Sequence, residues 1–213
     1  MSTLVHAATL PALIDTLTAR DTTLAALVAR DGPPPLWMRA PGFATLVHIM
    51  LEQQVSLRSA QAAFDRLVAV TGRLTPAALL ALDDVQMLQV GFSRQKREYA
   101  RGLALAVSSG TLDLDALATH DDGAVRAQLT ALRGIGRWTA DIYLLMVLGR
   151  PDIWPTGDLA IVLAVQDAWQ LTTRPDHATL EAIAAPWQPW RAVAARILWH
   201  AYLSQPVRRR GIG

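Results

Sequence analysis

Apolar residues in this chain recur at spacings of three and four, the period of a helix with one buried face, and hardly ever at two. Leu13, Leu17, Leu24, Leu27 and Val28 mark one or two amphipathic helices between a start at Thr9-Leu10-Pro11 and Arg30. Gly32-Pro33-Pro34-Pro35 reads as a stiff linker. Pro41-Gly42 opens a longer helix whose apolar face holds Phe43, Leu46, Val47, Met50 and Leu51. Gln53-Gln54-Val55-Ser56 interrupts it, and Leu57 to Val70 resumes a helix. Thr75-Pro76 joins an N-cap to proline at the first helical position, opening a short helix to Leu82. Further helices are expected from Asp83-Asp84 to Val90, from the Ser93 cap to Ser108, and as one or two turns over Leu112 to Leu117. Asp121-Asp122 starts the helix entering a glycine turn, Asp158 the one running to Trp169, Asp176 another to Ala184, and Pro189 the last, to Leu203. No period-two run and no Asn-Gly hairpin turn is present. The expected fold class is all-α, ten or more helices joined by short turns, with no internal repeat.

Composition alters this picture little but narrows the chemistry. At 213 residues and 52% hydrophobic content, the chain can bury a real core in one large domain or two small ones. The formal net charge is only +2, yet the basic side is 19 Arg and a single lysine, Lys96. That skew follows from genomic base composition as readily as from phosphate binding, so charge alone does not point to DNA. The absence of cysteine excludes disulfides, thiolate zinc sites and iron–sulfur clusters. The five His residues show no ligand spacing. No apolar run approaches the ~18 residues of a membrane span, and the N-terminus lacks a charged segment before an apolar core. A soluble, cytoplasmic protein is expected.

The chemistry concentrates between Ala131 and Val165. Leu132-Arg133-Gly134-Ile135-Gly136 lies between two apolar-periodic segments, Val125 to Leu132 and Trp138 to Leu148. Two glycines permit positive φ and close backbone approach, and N–H groups at the start of the next helix form an anion site. Arg133, Arg137 and Thr139 beside that turn make phosphate the expected anion, as in a helix-hairpin-helix element that grips a nucleic-acid backbone without reading sequence. Farther on, Pro155 and Gly157 break the chain and Asp158 stands where a helix begins. Alone, such an Asp is an ordinary N-cap.

Gly-Ile-Gly-Arg-Trp-Thr-Ala, a spacer, and a Pro/Gly-rich loop ending in Asp before an apolar helix together resemble the helix-hairpin-helix/Gly-Pro-Asp superfamily of DNA glycosylases. Within it, the chain is most similar to the alkylation-repair branch, 3-methyladenine DNA glycosylase II, over Trp37 to Tyr202. The resemblance implies two helical lobes with a cleft between them: lobe one from residues 1–60 and 151–213, lobe two from 61–150 with the hairpin at 125–148. Members of that branch often carry a small mixed α/β domain in front. The segment before Trp37 is too short for one, so a more open base pocket and looser substrate choice are expected.

The same resemblance assigns roles. Asp158 is implied to be the catalytic carboxylate that stabilises positive charge on the deoxyribose and orients water. Trp138 stands where bifunctional members carry an attacking lysine, which implies hydrolysis by water and no lyase activity. Trp138 and Trp199 are implied to line the base pocket, where an indole attracts a positively charged methylated purine. Ile142 stands at a third pocket position, often aromatic in relatives. Gln54, with Gln53 beside it, matches the wedge that fills the gap left by a flipped base. Arg58, Arg133, Gly134, Ile135, Gly136, Arg137 and Thr139 are implied to bind DNA phosphates. Backbone carbonyls of Thr130, Leu132 and Ile135 are implied to hold a structural sodium or potassium ion, with no cofactor needed for catalysis.

The function so implied is a monofunctional, monomeric glycosylase. It would excise bases of the 3-methyladenine and 7-methylguanine type from double-stranded DNA at the nucleoid, with no membrane partner. A glycosylase for other damaged purines and a non-catalytic helix-hairpin-helix module, with Asp158 only a cap, remain as alternatives. The Gly91-Phe92-Ser93-Arg94-Gln95-Lys96-Arg97 cluster reads as a solvated helix start or a DNA contact. Trp187-Gln188-Pro189-Trp190-Arg191 reads as structural, and Arg208-Arg209-Arg210 as a solvated tail.

Overall fold

Side-chain caps decide where most of the helices begin. In the computed structural model, which describes residues 3–205, Asp21, Ser56, Thr75, Asp83, Ser93, Asp121, Asp158 and Asp176 each accept a backbone N–H from the first turn of the helix they precede. The helices are α1 (Leu10–Thr18), α2 (Thr22–Asp31), α3 (Phe43–Glu52), α4 (Leu57–Thr71), α5 (Pro76–Leu80) and α6 (Asp84–Gln89). They continue as α7 (Arg94–Ser108), α8 (Asp122–Thr130), α9 (Arg137–Met146), α10 (Leu159–Ala168), α11 (His177–Ala184) and α12 (Arg191–Ser204). No strand occurs among the described residues, so the fold is all-α as the periodicity indicates. No helix there is long and apolar enough to cross a membrane. The Arg208-Arg209-Arg210 segment lies outside the described residues.

Two local expectations become specific and one changes. The pattern from Thr9 to Arg30 divides into two helices because extended Asp21 caps α2, while its other oxygen accepts the Trp187 indole N–H at 2.8 Å. The apolar signal at Leu112 to Leu117 yields only a 3₁₀ turn, Ala116–Thr119. The last helix starts at Arg191 rather than Pro189. A turn precedes it, closed by the Trp190 N–H on the Trp187 carbonyl at 2.7 Å, with the Gln188–Pro189 peptide cis.

The chain forms two compact units, one of residues 39–143 and the other of residues 3–38 with 144–205. These boundaries differ from residue 60 and residue 150, where the sequence reading placed them. Residues 43–52 form α3, which packs on α4 and α7 and so belongs with the middle segment. In that middle unit α7 also packs along α5, around Leu46, Ile49, Met50, Leu67, Met87 and Phe92. In the other unit α12 is surrounded by α1, α2 and α10, and is buried from Ala192 to Trp199. A helix buried on all sides should carry no charge, yet Arg196 lies at its centre with no exposed surface. Its guanidinium donates to the carbonyls of Leu36 (2.8 Å), Ala192 (3.0 Å) and Leu145 (2.9 Å). Burial lowers its pKa to about 10, which leaves it charged at neutral pH.

Candidate functional site

The glycine turn joins α8 to α9, and its two glycines behave differently. Gly134 has φ +92°, and a Cβ there would collide with the ring of Tyr99. Gly136 has no such constraint: its φ is not in the left-handed region, and a Cβ would meet nothing within 4 Å. Ile135 is 4% exposed, so its side chain pins the turn. Its N–H donates to the Leu132 carbonyl at 3.1 Å. That donor closes the turn. Arg133 and Arg137 are largely exposed, and Arg133 lies over the Tyr99 ring at 5.8 Å.

Thr139 lies in the first turn of α9. It is 1% exposed, and its Oγ1 accepts the Gln53 Nε2–H at 2.9 Å. Gln53 Nε2 donates as well to the Gly134 carbonyl at 2.9 Å. Both hydrogens of that amide are thus engaged with the hairpin. Gln54 is the exposed neighbour, in the left-handed region at φ +58°. Arg58 is exposed near the start of α4.

Several residues here carry no sequence signal of their role. Lys96 on α7 is not solvated: its Nζ donates to the carbonyls of Leu51 (2.8 Å) and Gln53 (3.0 Å), capping the end of α3. Burial pushes this ammonium below its ordinary value. Asp141 on α9 has no exposed surface and clasps α8 through Arg126 Nε at 2.6 Å, with Arg137 Nε 3.6 Å from its other oxygen. Burial raises the Asp141 carboxyl, while hydrogen bonding and attraction from Arg126 and then Arg137 pull it back. The chain's one lysine among arginines was the only cue to Lys96. Nothing marked Asp141 or Tyr99.

The second cluster lies in the other unit. Pro155-Thr156-Gly157 turns tightly, with Thr156 N–H on the Trp154 carbonyl (2.9 Å), Asp158 N–H on that of Pro155 (3.2 Å), and Gly157 at φ +82°. Asp158 is 9% exposed and caps α10, its Oδ1 accepting the Ile161 N–H at 3.0 Å. The same oxygen accepts the indole N–H of Trp199 at 3.1 Å. Trp199 is 8% exposed and meets Trp37 edge-on, centroids 6.4 Å apart. Trp37 takes φ +49°, and the Arg196 bond to Leu36 holds the segment before it. Sequence reasoning missed Trp37, because a left-handed tryptophan after a proline run has no periodic signature. Trp138 and Ile142 lie on the middle unit's part of α9, half-buried and 2% exposed respectively.

Comparison with known proteins places this geometry. The model of the HhH-GPD superfamily of base excision DNA repair proteins matches residues 47–189. YfjP of Bacillus subtilis is 27% identical over 188 residues, 84% of this chain and 66% of its own. AlkA of Mycobacterium tuberculosis is 34% identical over 175 residues, 76% of this chain and 34% of its own. The chain therefore spans less than two thirds of the length of these relatives. The Schizosaccharomyces pombe 3-methyladenine DNA glycosylase Mag1, solved in complex with abasic DNA, superposes with a TM-score of 0.83 at 26% identity. That match covers 88% of this chain and 94% of Mag1.

Proposed function

The chain belongs to the HhH-GPD superfamily of base excision DNA repair proteins, and from that premise we propose that it is a monofunctional glycosylase removing alkylated bases from double-stranded DNA. One observation carries this reading: the carboxylate of Asp158 is oriented by two donors, a helix N-terminus and an indole, Ile161 N–H and Trp199 Nε1–H. As the bond from C1′ to the base breaks, its electron pair leaves with the base, and positive charge grows on the sugar. A nearby carboxylate stabilises that charge, and a water oxygen then bonds to C1′ while its proton passes to the carboxylate. A base such as 3-methyladenine or 7-methylguanine is cationic in DNA and departs neutral, so no acid is needed on the leaving side. The indole of Trp199, with Trp37 against it, suits such a cation.

In the same reading, the glycine turn grips phosphates through Gly134, Gly136 and the exposed Arg133 and Arg137. Gln54 plugs the duplex, and Trp138, in place of a lysine, leaves no amine for lyase chemistry there. Carbonyls of Thr130, Leu132 and Ile135 suit a structural sodium or potassium ion. Leu132 already accepts one hydrogen bond there, and a carbonyl has a second lone pair. The enzyme acts as a monomer in the cytoplasm.

Asp158→Asn tests the reading, because Asn caps a helix as well as Asp and spares the fold. Single-turnover release of 7-methylguanine should fall by a factor of about 10²–10³. Affinity for abasic duplex should stay within about twofold, since the grip on phosphates lies elsewhere. Undiminished release overturns the catalytic role of Asp158. Salt-dependent duplex binding with no release by the unaltered chain makes it a binding module instead.

A further inference from the structure

We propose that Gln53 and Lys96 are positioning residues that lock the hairpin and the Gln54 loop into one latch, so that a grip on backbone phosphate sets the plug for base extrusion. This deepens the glycosylase reading and rests on it. The chain of contacts is continuous within the middle unit. Helix α3 ends at Glu52 with carbonyls that lack helical partners, and Lys96 Nζ takes two carbonyls there, Leu51 and Gln53. The backbone then turns from extended at Gln53 to left-handed at Gln54. A non-glycine residue holds that conformation only when its surroundings impose it. The imposing contacts are the Lys96 cap on one side and, on the other, the Gln53 amide, which reaches 81 and 86 residues along the chain to Gly134 O and Thr139 Oγ1. Helix α7 supplies a further strut, since Tyr99 lies one turn beyond Lys96 and its ring occupies the space beside Gly134. A shift of the turn on engaging phosphate is thereby passed to the peptide that carries Gln54.

A brace that only stabilises the fold would slow every substrate alike. A latch for base extrusion matters where a base pair must open, because extrusion costs least for a base already unpaired. The test is single-turnover release of 7-methylguanine placed opposite cytosine, and the same lesion opposite an abasic site. The chains compared are the unaltered one, Gln54→Ala, Gln53→Met, Gln53→Met/Gln54→Ala and Thr139→Val. Gln53→Met and Thr139→Val are each expected to lose about tenfold on the paired lesion and less than about twofold on the unpaired one, as Gln54→Ala does. The double variant should be no slower than Gln54→Ala alone. Equal losses on the two substrates, or additive losses in the double variant, overturn the latch and leave the glycosylase reading standing. Should Gln53→Met fail to fold, Thr139→Val keeps the shape of its side chain and carries the same comparison. Release from neither substrate by the unaltered chain overturns the glycosylase reading itself, and the latch with it.

Discussion

Gly134 and Gly136 sit one residue apart, yet a side chain at one position would collide and at the other would meet open space. Gly134→Ala would force a Cβ into the Tyr99 ring at φ +92°, at a cost of about 1–3 kcal/mol. Its thermal midpoint should drop accordingly. Gly136→Ala should melt with the parent, within about 0.5 kcal/mol, but bind duplex DNA more weakly. A differential scan and a duplex titration check both expectations, and an unchanged affinity in Gly136→Ala would remove the backbone approach assigned to that residue. In the sequence the two glycines look equivalent. What separates them is a ring on another helix, which no local pattern encodes. Asp158 shows the converse, since cap and catalyst need not compete: one oxygen takes both donors that orient the group.

Helix positions were legible because their causes are local, a capping Asp, Ser or Thr followed by apolar residues at helical spacing. The roles of α7 were not. Gly91 to Arg97 reads as a solvated start or a DNA contact, while Lys96 buries its stem to cap α3. Residues 39–60 likewise carry no mark of which helices they join, since packing partners are distant in sequence. The contact of α3 with α4 has a pH signature. His48 stacks on Phe64, centroids 4.3 Å apart and planes 11° apart, and lies 3.7 Å from Glu52, which Arg39 already holds. Burial lowers the imidazole below its ordinary 6.5, with Glu52 pulling it back up and Arg39 pushing it further down. As pH falls through 6.5 the unfolded chain takes up this proton first, so stability present above that pH is lost on the way down to the folded value. His48→Phe keeps the stack and should flatten that part of the profile, read as urea midpoints on either side of pH 6.5. A slope identical to the parent would assign it to another group.

For the molecule as a whole, a net charge of +2 gives little general attraction to DNA, so binding should depend on a few placed cations. Arg133→Ala and Arg137→Ala should each reduce the slope of log affinity against log salt by about 0.9, the signature of one lost phosphate contact. Slopes equal to the parent would place the contacts on other residues. The fold class and the Asp158 loop were readable at this scale because a motif pair at fixed spacing carries them. That one unit joins both ends of the chain was implied by the resemblance, but where its boundaries fall was not legible, because the partners of α3 lie far along the chain.

The unit built from both ends, with Arg196 in its core, has a consequence for synthesis on the ribosome. The middle unit is continuous in sequence, so its own packing partners are complete once residue 143 has emerged. The first 38 residues lack theirs: the guanidinium that donates to the Leu36 carbonyl sits in the final helix, 160 residues later. The leading segment of a nascent chain must therefore wait, its leucines exposed to chaperones and proteases, until translation is nearly complete.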